Sequence, residues 1–246
     1  MIVEESSVAN QQIDIPCVGY DVKADFYEGD ADIAVMIYIG FTSNKSRYKA
    51  LAGLLNEQLG ASVLVLDYSG HGASPFDIDD VCPAQNFLES ITAFDLLKAK
   101  YPKRQMFVIG TSYGGFMATQ LTKYREFDKL VLRVPALYKP HDFYTKWGEY
   151  DSIETRHDYR LNAKDLGSHP LLKRAADFKG KTLVVTHELD TICPPNSTAP
   201  FIKAFRADHW VETGLGHSFR ESGVTKAQAE KYYNKIIDWL KNEKSN

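Results

Sequence analysis

Residues 105–121 have the sequence QMFVIGTSYGGFMATQL, and this stretch decides the fold. The apolar run 105–109 is typical of a buried strand, and residues 115–121 have the pattern of a helix. Between them lies Gly-x-Ser-x-Gly, which is typical of a nucleophile elbow, a strained turn that holds a serine hydroxyl above the end of a parallel sheet. Glycine suits such a turn because a Cβ would clash where the chain doubles back. We therefore predict that Ser112 is a nucleophile; the alternative is a glycine-rich helix start that binds an anion.

Strands and helices alternate on both sides of this turn. Strands are predicted at 13–18, 20–27, 33–39, 62–66, 105–109, 129–134, 182–186 and 209–212, and helices at 46–59, 87–100, 115–121, 170–178, 195–205 and 226–241. The alternation predicts the α/β class, with a mostly parallel sheet of about eight strands and helices on both faces. We interpret residues 1–246 as a single domain that binds its ligand at the carboxyl ends of the strands.

One connection breaks this rhythm. The segment between the strands 129–134 and 182–186 is much longer than the usual loop of about 2–6 residues, and it is rich in aromatic residues. We predict a small helical lid at about 137–168, over the carboxyl ends of the strands. Binding pockets are mostly apolar and aromatic, so Tyr144 and Trp147 are predicted to bind substrate. The alternative for these rings is that they only pack the lid onto the body.

A serine hydroxyl becomes a good nucleophile when a histidine takes its proton, and a carboxylate orients that histidine. Behind an elbow the order along the chain is serine, acid, histidine. Asp190 and His217 each follow a predicted strand, so both lie on the same rim of the sheet as Ser112. We predict that these residues form a catalytic triad. Glu188 is the rival acid, and a helix cap is the alternative role for Asp190.

Attack by the serine creates an oxyanion, which needs backbone N–H donors. One predicted donor is the amide of Tyr113, directly after the nucleophile and at the positive end of the new helix. The second donor is expected from the turn after the strand 33–39. Phe41 is our choice for that donor, and Thr42 is its rival.

With these residues in place, the chain resembles the α/β-hydrolase superfamily, in particular small enzymes of the carboxylesterase, cinnamoyl (feruloyl) esterase, monoacylglycerol lipase and serine aminopeptidase-like group. Residues 40–42 resemble the family's His-Gly-Phe oxyanion turn, with Ile39 in place of the histidine. Residues 67–74 resemble its Asp-x-x-Gly-x-Gly-x-Ser turn, and residues 187–194 resemble its His-Gly-x-x-Asp-x-x-Val-Pro loop. The resemblance covers nearly the whole chain and implies the α/β-hydrolase fold.

The sequence thus predicts a serine hydrolase that cleaves carboxylic esters with short to medium acyl or arylacyl groups through a covalent acyl-enzyme. A peptidase of the same superfamily is one alternative, in which Glu149, Asp151 or Glu154 would hold a substrate amine. An acyltransferase would use the same site. A ligand-binding receptor on this scaffold is disfavoured, because such proteins often lose a triad member and this chain keeps all of them.

The composition and motifs of the chain argue against other classes of function. The chain has 246 residues and a formal net charge of -3, so no nucleic-acid partner is predicted. His187-Glu188 begins like a zinc-protease motif, but Thr191 stands where the second histidine is needed, so neither a metal nor a cofactor is predicted.

The 3 dispersed cysteines favour a reducing compartment. With no signal-like start and no apolar run long enough to span a membrane, we predict a cytoplasmic protein. Its expected partner is a small-molecule ester, and a homodimer is left open.

Overall fold

The computed structural model describes residues 10–150 and 153–242, with the backbone alone for 153–156. Within these residues one sheet contains eight strands in the order β1-β2-β4-β3-β5-β6-β7-β8. They are β1 (Gln11–Cys17), β2 (Tyr20–Tyr27), β3 (Ile33–Tyr38), β4 (Ser62–Leu66), β5 (Gln105–Thr111), β6 (Lys129–Arg133), β7 (Lys181–His187) and β8 (Asp208–Glu212). The β1–β2 and β2–β4 pairs are antiparallel, and the other pairs are parallel. The predicted α/β-hydrolase fold is confirmed.

The centre of the sheet is buried on both faces because its strands are apolar in their middle residues, and the charged ends of β6, Lys129 and Arg133, are buried as well. Every residue of β4 and β6 is buried. The strand order reverses at β3, since the chain adds β4 on one side of β3 and then crosses to add β5 on the other side. Loops diverge at such a reversal and leave a crevice beyond the carboxyl ends of the strands, where ligands bind. The loop with Phe41 and the turn with Ser112 follow β3 and β5 at this point.

Helices cover the sheet in two groups. The α-helices of the described residues are α1 (Lys49–Leu59), α2 (Pro83–Lys100), α3 (Tyr113–Leu121), α4 (Ile153–Asn162), α5 (Pro170–Ala175), α6 (Pro195–Phe205) and α7 (Lys226–Lys241). α1 packs against α7, whereas α2, α3, α5 and α6 pack in a continuous row. This separation agrees with the predicted helices on both faces of the sheet.

Local signals explain most helix boundaries. α7 begins with a capping box, in which Thr225 and Gln228 satisfy each other's backbone amides. α2 begins at Pro83, earlier than the predicted start at 87, because proline is well suited to the first helical position, where its missing N–H needs no partner. The helix predicted at 46–59 starts as a 3-10 helix, Lys45–Tyr48. The helix predicted at 170–178 ends at Ala175, where the chain leaves α5 for β7.

The long connection between β6 and α5 contains α4 and the short 3-10 helices Pro140–Tyr144, Trp147–Glu149 and Leu166–Ser168. The lid at 137–168 and the single domain stay predictions, and residues 151–152 of that lid lie outside the described residues. In the part of the chain that the structure describes, no helix has the length and apolar character that crossing a membrane requires.

Candidate active site

Ser112 occupies the turn between β5 and α3 in a strained conformation, with φ of 52° and ψ of -113°. Such strain persists mainly where the surrounding structure enforces it, often at functional sites. A Cβ on Gly110 would lie 2.4 Å from the carbonyl oxygen of Gly114, and a Cβ on Gly114 would lie 2.0 Å from that of Tyr38. The backbone amide of Ser112 donates to the carbonyl of Arg133 at 2.9 Å. Glycine spacing and a bond from β6 therefore fix the turn.

The structure brings together the residues predicted as a triad. Nε2 of His217 lies 3.0 Å from Oγ of Ser112, and Nδ1 of the same ring lies 2.7 Å from Oδ2 of Asp190. An ionised carboxylate only accepts hydrogen bonds, so Nδ1 carries the proton. The lone pair of Nε2 is then directed at the Ser112 hydroxyl. This arrangement can remove a proton from the serine while the carboxylate holds the ring in place.

The environment of Asp190 keeps its side chain ionised. Oδ1 accepts the backbone amides of Ile192 at 2.8 Å and Cys193 at 2.7 Å. Burial acts to raise the pKa of Asp190, but the interaction with His217 and the two amides outweigh it and hold the pKa below its ordinary value. Burial also raises the pKa of the Cys193 thiol to about 12. That thiol stays protonated and is a poor competing nucleophile.

Glu188, the rival acid, lies elsewhere. Its side chain is exposed, and Oε2 accepts the amide of Gly214 at 2.8 Å. Next to it, the amide of Leu189 donates to the carbonyl of Leu215 at 2.8 Å. Glu188 therefore joins the backbone of the loop that carries His217, whereas Asp190 contacts the imidazole itself.

The turn that carries Phe41 lies against the elbow. A Cβ on Gly40 would be 3.8 Å from Cβ of Ser112. The Phe41 ring packs edge-on against the rings of His71 and Tyr113. Tyr113 is the first residue of α3, and the first amides of a helix have no acceptor within it. The donor roles of the Phe41 and Tyr113 amides stay predictions.

Tyr48 is a residue of this turn that the sequence reasoning missed. Its hydroxyl accepts the buried amide of Gly40 at 2.9 Å. Ile39, which stands where the resemblance implies a histidine, is fully buried instead. Tyr48 lies within the predicted helix 46–59 at a spacing that it shares with Leu51 and Leu55, so the sequence pattern indicates packing and not this bond. Its hydroxyl supplies a side-chain anchor for a turn that has lost the usual one.

His71 lies buried behind the same turn. Its Nδ1 is 3.1 Å from the carbonyl oxygen of Ser69 and so carries the proton, and its ring stacks on Tyr113 at a centroid distance of 6.1 Å. Burial lowers the pKa of His71 to about 4, so the ring is neutral near pH 7. Other histidines are farther from the chemistry: His141 and His209 are exposed, and His169 bonds to the carbonyl of Tyr138.

The residues predicted to bind substrate have different surroundings. Trp147 is fully buried, and its ring contacts Phe41 at a centroid distance of 4.5 Å and Tyr113 at 5.5 Å. Tyr144 is 77% exposed and packs edge-on against Phe143. Trp147 therefore adjoins the predicted oxyanion residues, while Tyr144 lies at the surface. Their role in substrate binding stays a prediction.

The residue types that commonly bind metal ions are dispersed over the part of the chain that the structure describes. No group of three or more histidine, cysteine, aspartate or glutamate side chains there is arranged to hold a metal ion. His187, which starts the zinc-like motif in the sequence, uses Nδ1 to bond the carbonyl of Gly216 at 2.7 Å and Nε2 to bond the hydroxyl of Tyr232 at 3.0 Å.

A family model described as serine aminopeptidase, S33, matches residues 29–156. No curated protein matches the chain significantly.

Solved structures with a similar fold include several hydrolases. The Pyrococcus furiosus esterase Pf2001 has a TM-score of 0.71 and 17% identity, with 97% of this chain and 94% of the esterase covered. A protein described as a predicted CIB-like hydrolase from Thermoplasma acidophilum has a TM-score of 0.66 and 16% identity, with 95% and 99% covered. The acylaminoacyl peptidase of Pyrococcus horikoshii has a TM-score of 0.71 and 13% identity, with 97% of this chain but 43% of the peptidase covered. At these identities the similarity shows the shared fold alone.

Proposed function

The chain belongs to the serine aminopeptidase S33 family of hydrolases, and from the premise that it is a hydrolase we propose that it cleaves carboxylic esters through a covalent acyl-enzyme. The observation that carries the proposal is the continuous contact from Asp190 through His217 to Ser112, with distances of 2.7 and 3.0 Å. Such a contact activates a serine hydroxyl without a cofactor.

The reaction has two halves. His217 Nε2 takes the proton of Ser112 as Oγ attacks the ester carbonyl, and the tetrahedral oxyanion is held by the amides of Tyr113 and Phe41. His217 then gives the proton to the leaving alcohol as the C–O bond breaks. Water, deprotonated by the same imidazole, attacks the acyl-enzyme, and the imidazolium returns that proton to Oγ of Ser112 as the acyl C–O bond breaks and the acid leaves. Each oxyanion donor stabilises the transition state by about 3 kcal/mol.

The aromatic surroundings of the turn favour small acyl or arylacyl groups. Phe41 is partly exposed and packs on the buried rings of Trp147 and Tyr113, and the exposed part of its ring suits an apolar or flat acyl group. We assign residues 137–168 as a small lid from which Trp147 and Tyr144 bound the acyl site. The chain as a whole would then act as one domain. A cytoplasmic location stays a prediction from the sequence, and a homodimer stays open.

The test uses p-nitrophenyl butyrate and a fluorophosphonate probe. Wild-type protein should hydrolyse the ester and take up the probe on the peptide that contains Ser112, as mapped by mass spectrometry. Ser112→Ala should abolish both. Ser46→Ala is the matched control, because this hydroxyl is exposed, its bond within the described residues is to Asn44, and it should be dispensable. Turnover by Ser112→Ala equal to that of the wild type would refute the mechanism.

A peptidase is the second candidate, favoured by the family match. The carboxylates predicted to hold a substrate amine are Glu149, which is exposed beside Trp147, and Asp151 and Glu154, whose side chains lie outside the described residues. Aminoacyl arylamides distinguish the candidates, since an aminopeptidase would cleave them faster than esters. Butyryl transfer to an added alcohol would identify an acyltransferase.

A further inference from the structure

A buried cation lies directly behind the candidate nucleophile. Arg133 ends β6, and its carbonyl oxygen is the one that accepts the amide of Ser112. Its guanidinium is buried among aromatic side chains, 4.3 Å from the centroid of the Phe219 ring. Its Nε lies 3.1 Å from the hydroxyl of Tyr232 on α7. Arg133 therefore contacts both the elbow and the loop that carries His217.

The hydrogen bonds that continue from Arg133 have only one consistent set of directions. A guanidinium only donates, so the hydroxyl oxygen of Tyr232 accepts from Arg133. At the other end, the carbonyl of Gly216 only accepts, so Nδ1 of His187 donates to it at 2.7 Å. Nε2 of His187 is then an acceptor, and it receives the hydroxyl proton of Tyr232 at 3.0 Å. The chain runs from Arg133 through Tyr232 and His187 to Gly216.

This series of hydrogen bonds connects the turns that carry residues of the predicted triad. Gly216 directly precedes His217, and Phe219, under the guanidinium, follows it closely. His187 ends β7, and its carbonyl accepts the amide of Asp190 at 3.3 Å.

We propose that Arg133, Tyr232 and His187 are positioning residues, which fix the imidazole of His217 relative to Ser112 and Asp190. The inference rests on the proposed function, because it assigns a role in aligning that same site. Its physical basis is the nature of the loop. Gly216, directly before His217, is held from both sides: its amide donates to Oγ of Ser222 at 2.8 Å within the loop, and its carbonyl accepts from Nδ1 of His187 at 2.7 Å from outside it. The direction of the imidazole therefore depends in part on His187.

Burial and the neighbouring charges keep His187 neutral, which preserves these hydrogen-bond directions. Its ring faces Arg133 from β6, Tyr232 from α7, and Asp190 and His217 from the adjacent loops. Burial and then the charge of Arg133 lower the pKa of His187 to about 4. The ring is therefore neutral near pH 7, as a group that both donates and accepts must be.

The main test is Tyr232→Phe, which keeps the ring and removes the hydroxyl that links Arg133 to His187. Tyr38→Phe is the matched control, since Tyr38 is also fully buried and its hydroxyl donates to the carbonyl of Ser90 at 2.8 Å. Tyr232→Phe loses two buried hydrogen bonds and Tyr38→Phe loses one, so both should lower Tm. Tyr232→Phe alone should also lower kcat for p-nitrophenyl butyrate and the rate of fluorophosphonate labelling, by about 10- to 100-fold, with KM changed less than about twofold.

Two variants of His187 separate its two bonds. In His187→Asn the amide nitrogen occupies the position of Nδ1 and can still donate to Gly216, but it does not reach Tyr232. In His187→Gln the amide oxygen occupies the position of Nε2 and can accept from Tyr232, but the carbonyl of Gly216 loses its donor. Because the bond to Gly216 acts directly on the His217 loop, His187→Asn should retain about tenfold more kcat than His187→Gln.

Each outcome is decisive. Equal kcat and labelling rates in Tyr232→Phe and Tyr38→Phe, with Tm lowered in both, would overturn the positioning role and leave the proposed function standing. If Tyr232→Phe does not fold, the order of the His187 variants decides, and the reverse order overturns the role. If Ser112 takes up the probe but cleaves no ester, the labelling rates of the variants still test the positioning role. If wild-type Ser112 reacts with neither probe nor ester, the proposed function fails and the positioning role falls with it.

Discussion

Replacing Asp190 by asparagine tests the candidate site most sharply, because the structure dictates how the new amide must sit. Oδ1 of Asp190 accepts two backbone amides, those of Ile192 and Cys193, at 2.8 and 2.7 Å. An asparagine must keep its oxygen at this position, since its NH2 group would otherwise face those N–H donors. The NH2 group is then directed at Nδ1 of His217.

The consequence is a change of tautomer. Facing a donor, Nδ1 must present its lone pair, so the proton moves to Nε2, which lies 3.0 Å from the Ser112 hydroxyl. Nε2 then carries a hydrogen and is unable to take the serine proton. A triad with this tautomer loses a factor of about 10⁴ in kcat, or about 5 kcal/mol of transition-state stabilisation. KM should change little, because Asp190 is 3% exposed and does not face bound substrate.

The measurement is kcat for p-nitrophenyl butyrate at pH 7.5, with the fold of each variant checked by circular dichroism. Glu188→Gln is the control for the rival acid. The glutamine oxygen can still accept the amide of Gly214, so this variant should keep kcat within about twofold. If Asp190→Asn keeps more than about a tenth of the wild-type kcat, the tautomer argument is refuted. A large loss in Glu188→Gln instead would move the role of the acid to that residue.

Two further predictions concern buried groups near the site. Tyr48→Phe leaves the amide of Gly40 without its acceptor, so the free energy of unfolding measured with urea should fall by about 1–3 kcal/mol. The kcat for p-nitrophenyl butyrate should fall as well. An unchanged kcat would argue against a role for this turn in catalysis. Burial lowers the pKa of His71 and of His187 to about 4, below the value of about 6.5 in an unfolded chain. Between these values the unfolded chain binds more protons, so stability is intact above about pH 6.5 and decreases toward pH 4, by up to about 3 kcal/mol per ring. Urea denaturation at pH 7.5 and 4.5 should show this decrease, and equal stabilities would mean that the rings are not held neutral.

Much of the fold is local information, which explains why sequence patterns predicted it. The strands β2 and β4 and the helices α6 and α7 have the predicted boundaries, because apolar runs, glycines, prolines and caps act over a few residues. The spacing of its glycines likewise predicts the strained turn at Ser112. Errors occur at the ends of elements, as at Pro83, where a helix start needs no apolar residue.

Choices between neighbouring residues of similar chemistry depended on the tertiary structure. Asp190 and Glu188 are both carboxylates in one loop, and the packing of the loops decides that Asp190 contacts the imidazole of His217 while Glu188 contacts the amide of Gly214. The same is true of Tyr48, whose hydroxyl meets a buried amide that the apolar pattern of its helix does not reveal.

By itself the sequence determined the alternation of strands and helices, the elbow at Ser112, and the order of serine, acid and histidine along the chain. The tertiary structure alone decided that Arg133, Tyr232 and His187 meet behind the loop of His217. The physical reason is range: a strand, a turn or a cap is stabilised by residues close in sequence, whereas a bond such as that between Arg133 and Tyr232 forms only after β6 and α7 have packed together.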